Sequence, residues 1–332
     1  MSGVDADTSL LTPEVARVLH DAFGATPIDE LSVHEGGRSG ATLLSVTVAG
    51  HSYILRKPNA ARPYDHRVAQ ELTCIETASQ QGVAPLLRYV DRDTCITISE
   101  KIAGAALGRT SSWENGRTAR LVTTLRKLHQ GPAFPRGMSI LGVVRDFDDG
   151  LRARDGTGLP SQLLDMLADV SHATARFAES APCHNDLNPG NIIETQDRIY
   201  FVDWETACAG DPFFDLAEIG VFAFPTPDHR RELLEAYLER MPTEEERARA
   251  ILMRVMALAF YTVAFLHVAV ATGGSPDLST TPPVTLPQAF MNLRQGLGGP
   301  TLVAASFYAE MLREGECDAY EAAKRTLVVS DE

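Results

Sequence analysis

Paired cysteines, a basic leader and tryptophan are what this sequence is short of. Five cysteines occur in 332 residues, at 74, 95, 183, 208 and 317, and no two of them form a CxxC. An odd, scattered set argues against a disulfide framework and against a zinc site, and fits a reducing cytoplasm. Lys and Arg number 30 against 44 Asp and Glu, a formal charge of −14. That balance disfavours nucleic acid or an anionic membrane as partner and is compatible with a cationic small molecule. The N-terminal MSGVDADTSLL has neither a basic region nor a long apolar core, so no signal peptide is expected. Aromatics make up 7% of the chain and only two residues are Trp, which leaves little material for a rich aromatic cage. No internal repeat is visible. The one long apolar run, Val255 to Ala271, sits near the lower length limit for a membrane span and contains Thr262 and His267. It reads instead as a helix buried in a helical lobe, apolar all round.

What is present centres on Cys183 to Asp203, CHNDLNPGNIIETQDRIYFVD. Ile192-Ile193 and Ile199-Tyr200-Phe201-Val202 are β-branched and aromatic runs separated by turn residues, the pattern of a hairpin. Asn188-Pro189-Gly190 is loop chemistry. The hairpin thus carries Asn191 at its start and Asp203 at its end, with Asp186 on the loop before it. Two carboxylates and an amide oxygen at one edge of a rigid ribbon suit a hard cation such as Mg²⁺, which shares itself with substrate phosphates. Phosphoryl transfer needs such a clamp, together with a carboxylate that accepts the proton of the attacking hydroxyl. Protein kinases space these parts in the same order: Asp, Asn five residues on, then a metal-binding Asp. Asp186 is accordingly the expected base, and Asn191 and Asp203 the expected metal ligands.

HNDLNPGN, FVDWE and GDPFFDLA together resemble the choline/ethanolamine kinases and, more broadly, the aminoglycoside phosphotransferase superfamily. The resemblance is strong over Cys183 to Ala217, fair over 31–104 and faint beyond 225. HND and DWE lean towards the bacterial choline-kinase branch. The implied fold is α+β, two-lobed and protein-kinase-like, with a small N-terminal antiparallel sheet lobe carrying one helix (1–99), a hinge (100–104) and a larger, mostly helical catalytic and substrate lobe (105–332). The resemblance also implies ATP and Mg²⁺ as cofactors and the hydroxyl of a small, cationic, choline- or ethanolamine-like molecule as acceptor. Aminoglycosides or amino sugars are the alternative acceptors, and a nucleotide-binding module that has lost transfer is the alternative of another class. Only eleven residues separate Asp203 from Asp215, which leaves no room for the activation segment of a protein kinase.

Further roles follow by position. Gly36, Gly37, Arg38, Ser39 and Gly40 form a glycine-rich turn between strands, where backbone amides approach phosphates. The family has Asn where Gly40 stands. Arg56 is the strand cation for the phosphates, Arg in choline kinases and Lys in aminoglycoside kinases, while Lys57 should face the other way. Glu71, on a helix over 65–81, is the expected partner of Arg56, with Glu76 facing solvent. Glu100 and Ile102 would offer backbone groups to adenine. Glu205 is a candidate substrate contact or, equally, a hydrogen-bonding scaffold residue. Trp204 is a second candidate substrate contact, with Phe260, Tyr261, Phe265 and Tyr308 as further cage candidates, several of them at core spacing. Asp215 should brace the catalytic loop. Segment 131–160 reads as irregular and 272–287 as a linker-like or lid-like loop. The remaining helices are expected over 117–130, 161–179, 228–240, 243–271, 287–296, 300–313 and 317–328, with a capping box at Thr243 and Glu246.

Overall fold

The structure, a computed structural model, describes residues 10–34, 41–58, 66–107, 116–224 and 226–329. In chain order its elements are α1 (Pro13–Phe23), β1 (Ile28–Val33), β2 (Thr42–Val48), β3 (His51–Lys57), α2 (His66–Gln81), β4 (Leu87–Asp91), β5 (Ile96–Glu100), β6 (Ala105–Ala106), α3 (Arg117–His129), α4 (Ile140–Asp155), α5 (Ser161–Ala173), β7 (Ala181–Cys183), β8 (Ile192–Glu194), β9 (Ile199–Phe201), β10 (Cys208–Gly210), α6 (Pro212–Ala223), α7 (Pro227–Leu238), α8 (Glu244–Ala271), α9 (Leu286–Arg294), α10 (Pro300–Gly315) and α11 (Asp318–Val329). The fold is α+β and two-lobed, and its contacts divide into two units: 1–137 with 186–208, and 138–185 with 209–332.

The first unit is built on an antiparallel sheet of order β1-β2-β3-β5-β4. Strand alternation decides which side chains meet which helix. Leu31, Leu44, Val46, Leu55, Ile96 and Ile98 share one core with Val15, Val18 and Leu19 of α1. Lys57, two residues beyond Leu55 on the same face, pairs with Glu14 of α1. Thr12 opens α1 by accepting the Val15 N–H, ahead of Pro at the first turn. Arg56 points to the other face, where α2 supplies Val68 and Leu72 to a smaller cluster with Cys95.

A second sheet in this unit, of order β6-β8-β9, contains the expected hairpin. Its extra strand β6 lacks any β-branched residue and is created by pairing, Ala105 with Glu194 and Ala106 with Ile193. Gly104 makes that approach possible, because a Cβ there would lie 2.4 Å from the Glu194 carbonyl oxygen. The Leu107 N–H then bonds the Ile192 carbonyl.

The second unit is helical and organised on α8. Thr243 and Glu246 form the predicted capping box, and Val255, Leu258, Tyr261, Thr262 and Leu266 are among its buried residues. By length and composition α8 could cross a membrane, yet 67% of its apolar window is buried. It is a core helix packed on by α4, α5, α6, α10 and α11.

Segment 131–160 is not irregular: α4 fills much of it. Ser139 caps it by accepting the Gly142 N–H, Gly156 ends it in the left-handed region, and Val144, Asp148 and Leu151 make its buried stripe. Its glycines and charged residues mask that stripe in the sequence. The helix expected over 161–179 ends at Ala173, followed by a 3₁₀ turn over Ala175–Phe177.

Candidate active site

The hairpin pairs Ile192 with Phe201, Ile193 with Tyr200 and Glu194 with Ile199. Ile192, Ile199 and Phe201 are buried, while the Glu194 carboxylate takes Arg117 and Arg120 at 2.9 and 2.6 Å. The Thr195 hydroxyl accepts the Arg198 N–H and tightens the turn. At the open end, the Val202 N–H donates to the Asn191 carbonyl at 3.0 Å. Asn191 and the residue before Asp203 are thus hydrogen-bonded neighbours.

The loop ahead of β8 is a short 3₁₀ turn over Pro189–Asn191, capped by Asn188. Asn188 Oδ1 accepts the Gly190 N–H at 2.9 Å, and Asn188 Nδ2 donates to Asp186 Oδ1 at 3.0 Å. Asn191 Nδ2 donates to the Asp186 carbonyl at 2.9 Å and to Asp186 Oδ2 at 3.0 Å. Because a carbonyl only accepts, this fixes the Asn191 amide with its nitrogen towards Asp186. Its oxygen is left as the end a cation could take. Asp203 has φ +66° and Asn185 +61°, a left-handed conformation that Asp and Asn tolerate better than other side chains. An amide oxygen and a carboxylate make an oxygen-only donor set, which fits Mg²⁺ and not a soft metal.

Arg56 Nη1 lies 2.7 Å from Glu71 Oε1, the predicted pair. Arg56 Nη2 lies 2.9 Å from Glu205 Oε1, which the sequence reading did not foresee. Glu205 is therefore turned to the strand cation, which accords with the scaffold alternative and not with the substrate contact. Glu76 pairs with Arg92 at the surface. Trp204 corrects the second substrate candidate: it is 1% exposed, donates its indole N–H to the Phe201 carbonyl and meets Phe134 edge-on. It is a core residue beneath the hairpin. Glu100 is exposed at the end of β5, with its N–H bonded to the Leu86 carbonyl, and the Ile102 carbonyl accepts the Gly104 N–H. Gly36, Gly37, Arg38, Ser39 and Gly40 lie outside the described residues.

In the helical unit, Asp215 is fully buried and takes the backbone N–H of His184 at 2.9 Å and of Asn185 at 2.8 Å. These are the two residues before Asp186 in the chain, so the bracing carboxylate acts on backbone, as expected. Asp211 caps α6 through the Phe213 N–H and pairs with Arg249, whose guanidinium lies against Phe177 and Phe213. The cage candidates of this unit are largely core. Phe260 meets Phe214 edge-on, Tyr261 donates its hydroxyl to buried Glu218 at 3.0 Å, and Phe265 stacks on Phe307. The signal that could have found Asn188 is an amide at a 3₁₀ N-cap two residues after a carboxylate; read alone, it is ordinary turn chemistry.

Known proteins resemble this chain in sequence and in fold. Protein LicA of Haemophilus influenzae is 25% identical over 207 residues, spanning 61% of this chain and 61% of that relative. A choline/ethanolamine kinase family protein of Mesorhizobium loti has the same fold, with a TM-score of 0.68, 22% identity and 95% of each chain covered. The choline kinase LicA of Streptococcus pneumoniae superposes with a TM-score of 0.66 at 15% identity, over 91% of this chain and 97% of that one. A LicA structure in complex with AMP gives 0.66 at 14% identity, over 93% and 98%. The model of the phosphotransferase enzyme family matches residues 30–251, the stretch that holds the sheet, the hairpin and the Asp215 helix, and the chain belongs to that family.

Proposed function

We propose that this protein is a small-molecule kinase, moving the γ-phosphoryl group of ATP to a hydroxyl of a small cationic amino alcohol of the choline or ethanolamine type. The observation that carries the reading is the bonded group at the open end of the hairpin. There Asn191 holds the Asp186 carboxylate with its amide nitrogen, while its backbone carbonyl is tied to the residue before Asp203. In the reaction the acceptor oxygen attacks the γ-phosphorus and the bond to the β–γ bridging oxygen breaks. The hydroxyl proton passes to Asp186 and then to solvent. Asn191 and Asp203 would hold magnesium, whose bound charge neutralises phosphate oxygens. Arg56, kept in place by Glu71, would face the phosphates. Adenine would use the backbone groups of Glu100 and Ile102 that the bonds described above leave over, with 100–104 as hinge between lobes 1–99 and 105–332.

A cationic acceptor is supported by the −14 charge and by the choline kinases among the structural relatives. The free thiols, none in a disulfide, fit a cytoplasmic setting. The test is ADP release by the purified protein against a panel of amino alcohols, aminoglycosides and amino sugars. Turnover with an amino alcohol, lost by at least about a hundredfold in Asp186→Asn with nucleotide binding retained, is the expected result. Preference for an aminoglycoside would move the substrate assignment. Equal inertness of both proteins with every acceptor would favour a nucleotide-binding module without transfer.

A further inference from the structure

We infer that Asn188 is a positioning residue for Asp186: it sets the orientation of the carboxylate that receives the acceptor's proton. The inference rests on the kinase reading of the same site. Asn188 has two jobs, one at each end of its amide. The oxygen takes the Gly190 N–H at 2.9 Å, which caps the 3₁₀ turn. That bond fixes which end is nitrogen, since an N–H must meet an acceptor. The nitrogen therefore faces Asp186 Oδ1 and donates to it at 3.0 Å. On the far oxygen of the same carboxylate, Asn191 Nδ2 donates to Oδ2, also at 3.0 Å.

A carboxylate held by an amide on each oxygen cannot swing about its terminal torsion without losing a bond. A carboxylate oxygen has more than one acceptor position, so a single amide donor does not by itself block it from taking a proton. The Asp186 plane is thus set by two side chains that are both anchored to backbone, Asn188 through Gly190 and Asn191 through the Asp186 carbonyl. Asn191 is engaged in this way alongside its expected metal role. Asn188 has no such role, so it is the position at which orientation can be probed alone.

The cap and the donor can be separated by mutation. In Asn188→Ser the hydroxyl is still a good N-cap for Gly190, because serine ranks beside asparagine there, but it is too short to reach Asp186 from that bond. In Asn188→Asp the size and the cap remain, and the donor facing Asp186 becomes an acceptor. Both variants should melt like the wild type and bind ADP with unchanged affinity. Both should lose kcat on the order of ten- to a hundredfold, with KM for nucleotide and acceptor unchanged, Asn188→Asp losing more. Asp186→Asn is the reference. If it is inactive while Asn188→Ser keeps full kcat, or loses only melting temperature, Asn188 is a cap and the inference is overturned with the kinase reading intact. If Asp186→Asn itself turns over normally, that reading fails and the inference fails with it.

Discussion

The guanidinium of Arg56 is shared between two carboxylates, Glu71 on Nη1 at 2.7 Å and Glu205 on Nη2 at 2.9 Å. Glu205 lies two residues after Asp203, so the strand cation is tied to the chain that leaves the hairpin as well as to α2. A planar fork can serve two partners in fixed directions, whereas an ammonium is a point charge on a flexible stem. Arg56→Lys should therefore fold normally yet raise the nucleotide KM by about tenfold. Glu205→Gln, which keeps one hydrogen bond, should have a smaller effect. Steady-state kinetics with varied nucleotide check both, and an Arg56→Lys enzyme of unchanged KM would remove the shared fork from the mechanism.

Asp203 should govern the metal requirement. Asp203→Asn keeps a side chain that accepts the left-handed backbone and removes one negative charge from an oxygen-only set. The magnesium concentration giving half-maximal turnover should rise by at least about tenfold, with the melting temperature little changed. A magnesium titration of turnover in wild type and variant reads this directly.

The capping box of α8 should make stability depend on acid. Glu246 accepts from the Arg240 side chain and the Thr243 N–H, and these bonds, Arg240 first, hold its carboxyl down at about 2 from the ordinary 4.5. A folded-state value below the unfolded one gives stability that is present above the ordinary value and lost as pH falls towards 2. Melting temperatures measured from pH 6 to pH 2 should fall less steeply in Glu246→Gln than in wild type. Thr243→Ala should cost about 1 kcal/mol at neutral pH.

Thiol reactivity should be confined to one position. Cys74, Cys95, Cys183 and Cys208 are buried and Cys317 is exposed. Desolvation pushes the Cys74 and Cys95 thiols up, away from the reactive thiolate. An aromatic disulfide reagent should titrate one thiol quickly in the native protein and five after denaturation. Fast reaction of Cys183, one residue before His184, would show that the loop opens.

Local patterns carried most of what the sequence made legible. Alternation along β3 set Lys57 and Arg56 on opposite faces and matched Arg56 with Glu71 of α2; that pair is present, and Lys57 meets Glu14 of α1 on the other side. The β-branched runs at 192 and 199 specified the hairpin, and Thr243 with Glu246 specified the start of α8. What stayed hidden depends on partners distant in the chain or on backbone alone. Arg56 and Glu205 are 149 positions apart, and β6 is two alanines made into a strand by β8. Trp204 looked like a ligand wall because an aromatic beside a candidate metal ligand has the same sequence whether it faces a solute or a core. The stripe of α4 was obscured by Gly142 and Gly150, which lower helix propensity without preventing a capped helix.

Gly104 gives the region its mechanical wiring. With no side chain in the way, the strand after residues 100–102 lies directly on β8, bonded through Leu107 to Ile192, the neighbour of Asn191. A displacement of residues 100–104 would therefore be felt through β6 and β8 at Ile192 and its neighbour Asn191. Any bulkier residue at 104 would cut the linkage while leaving every polar group of the region chemically intact.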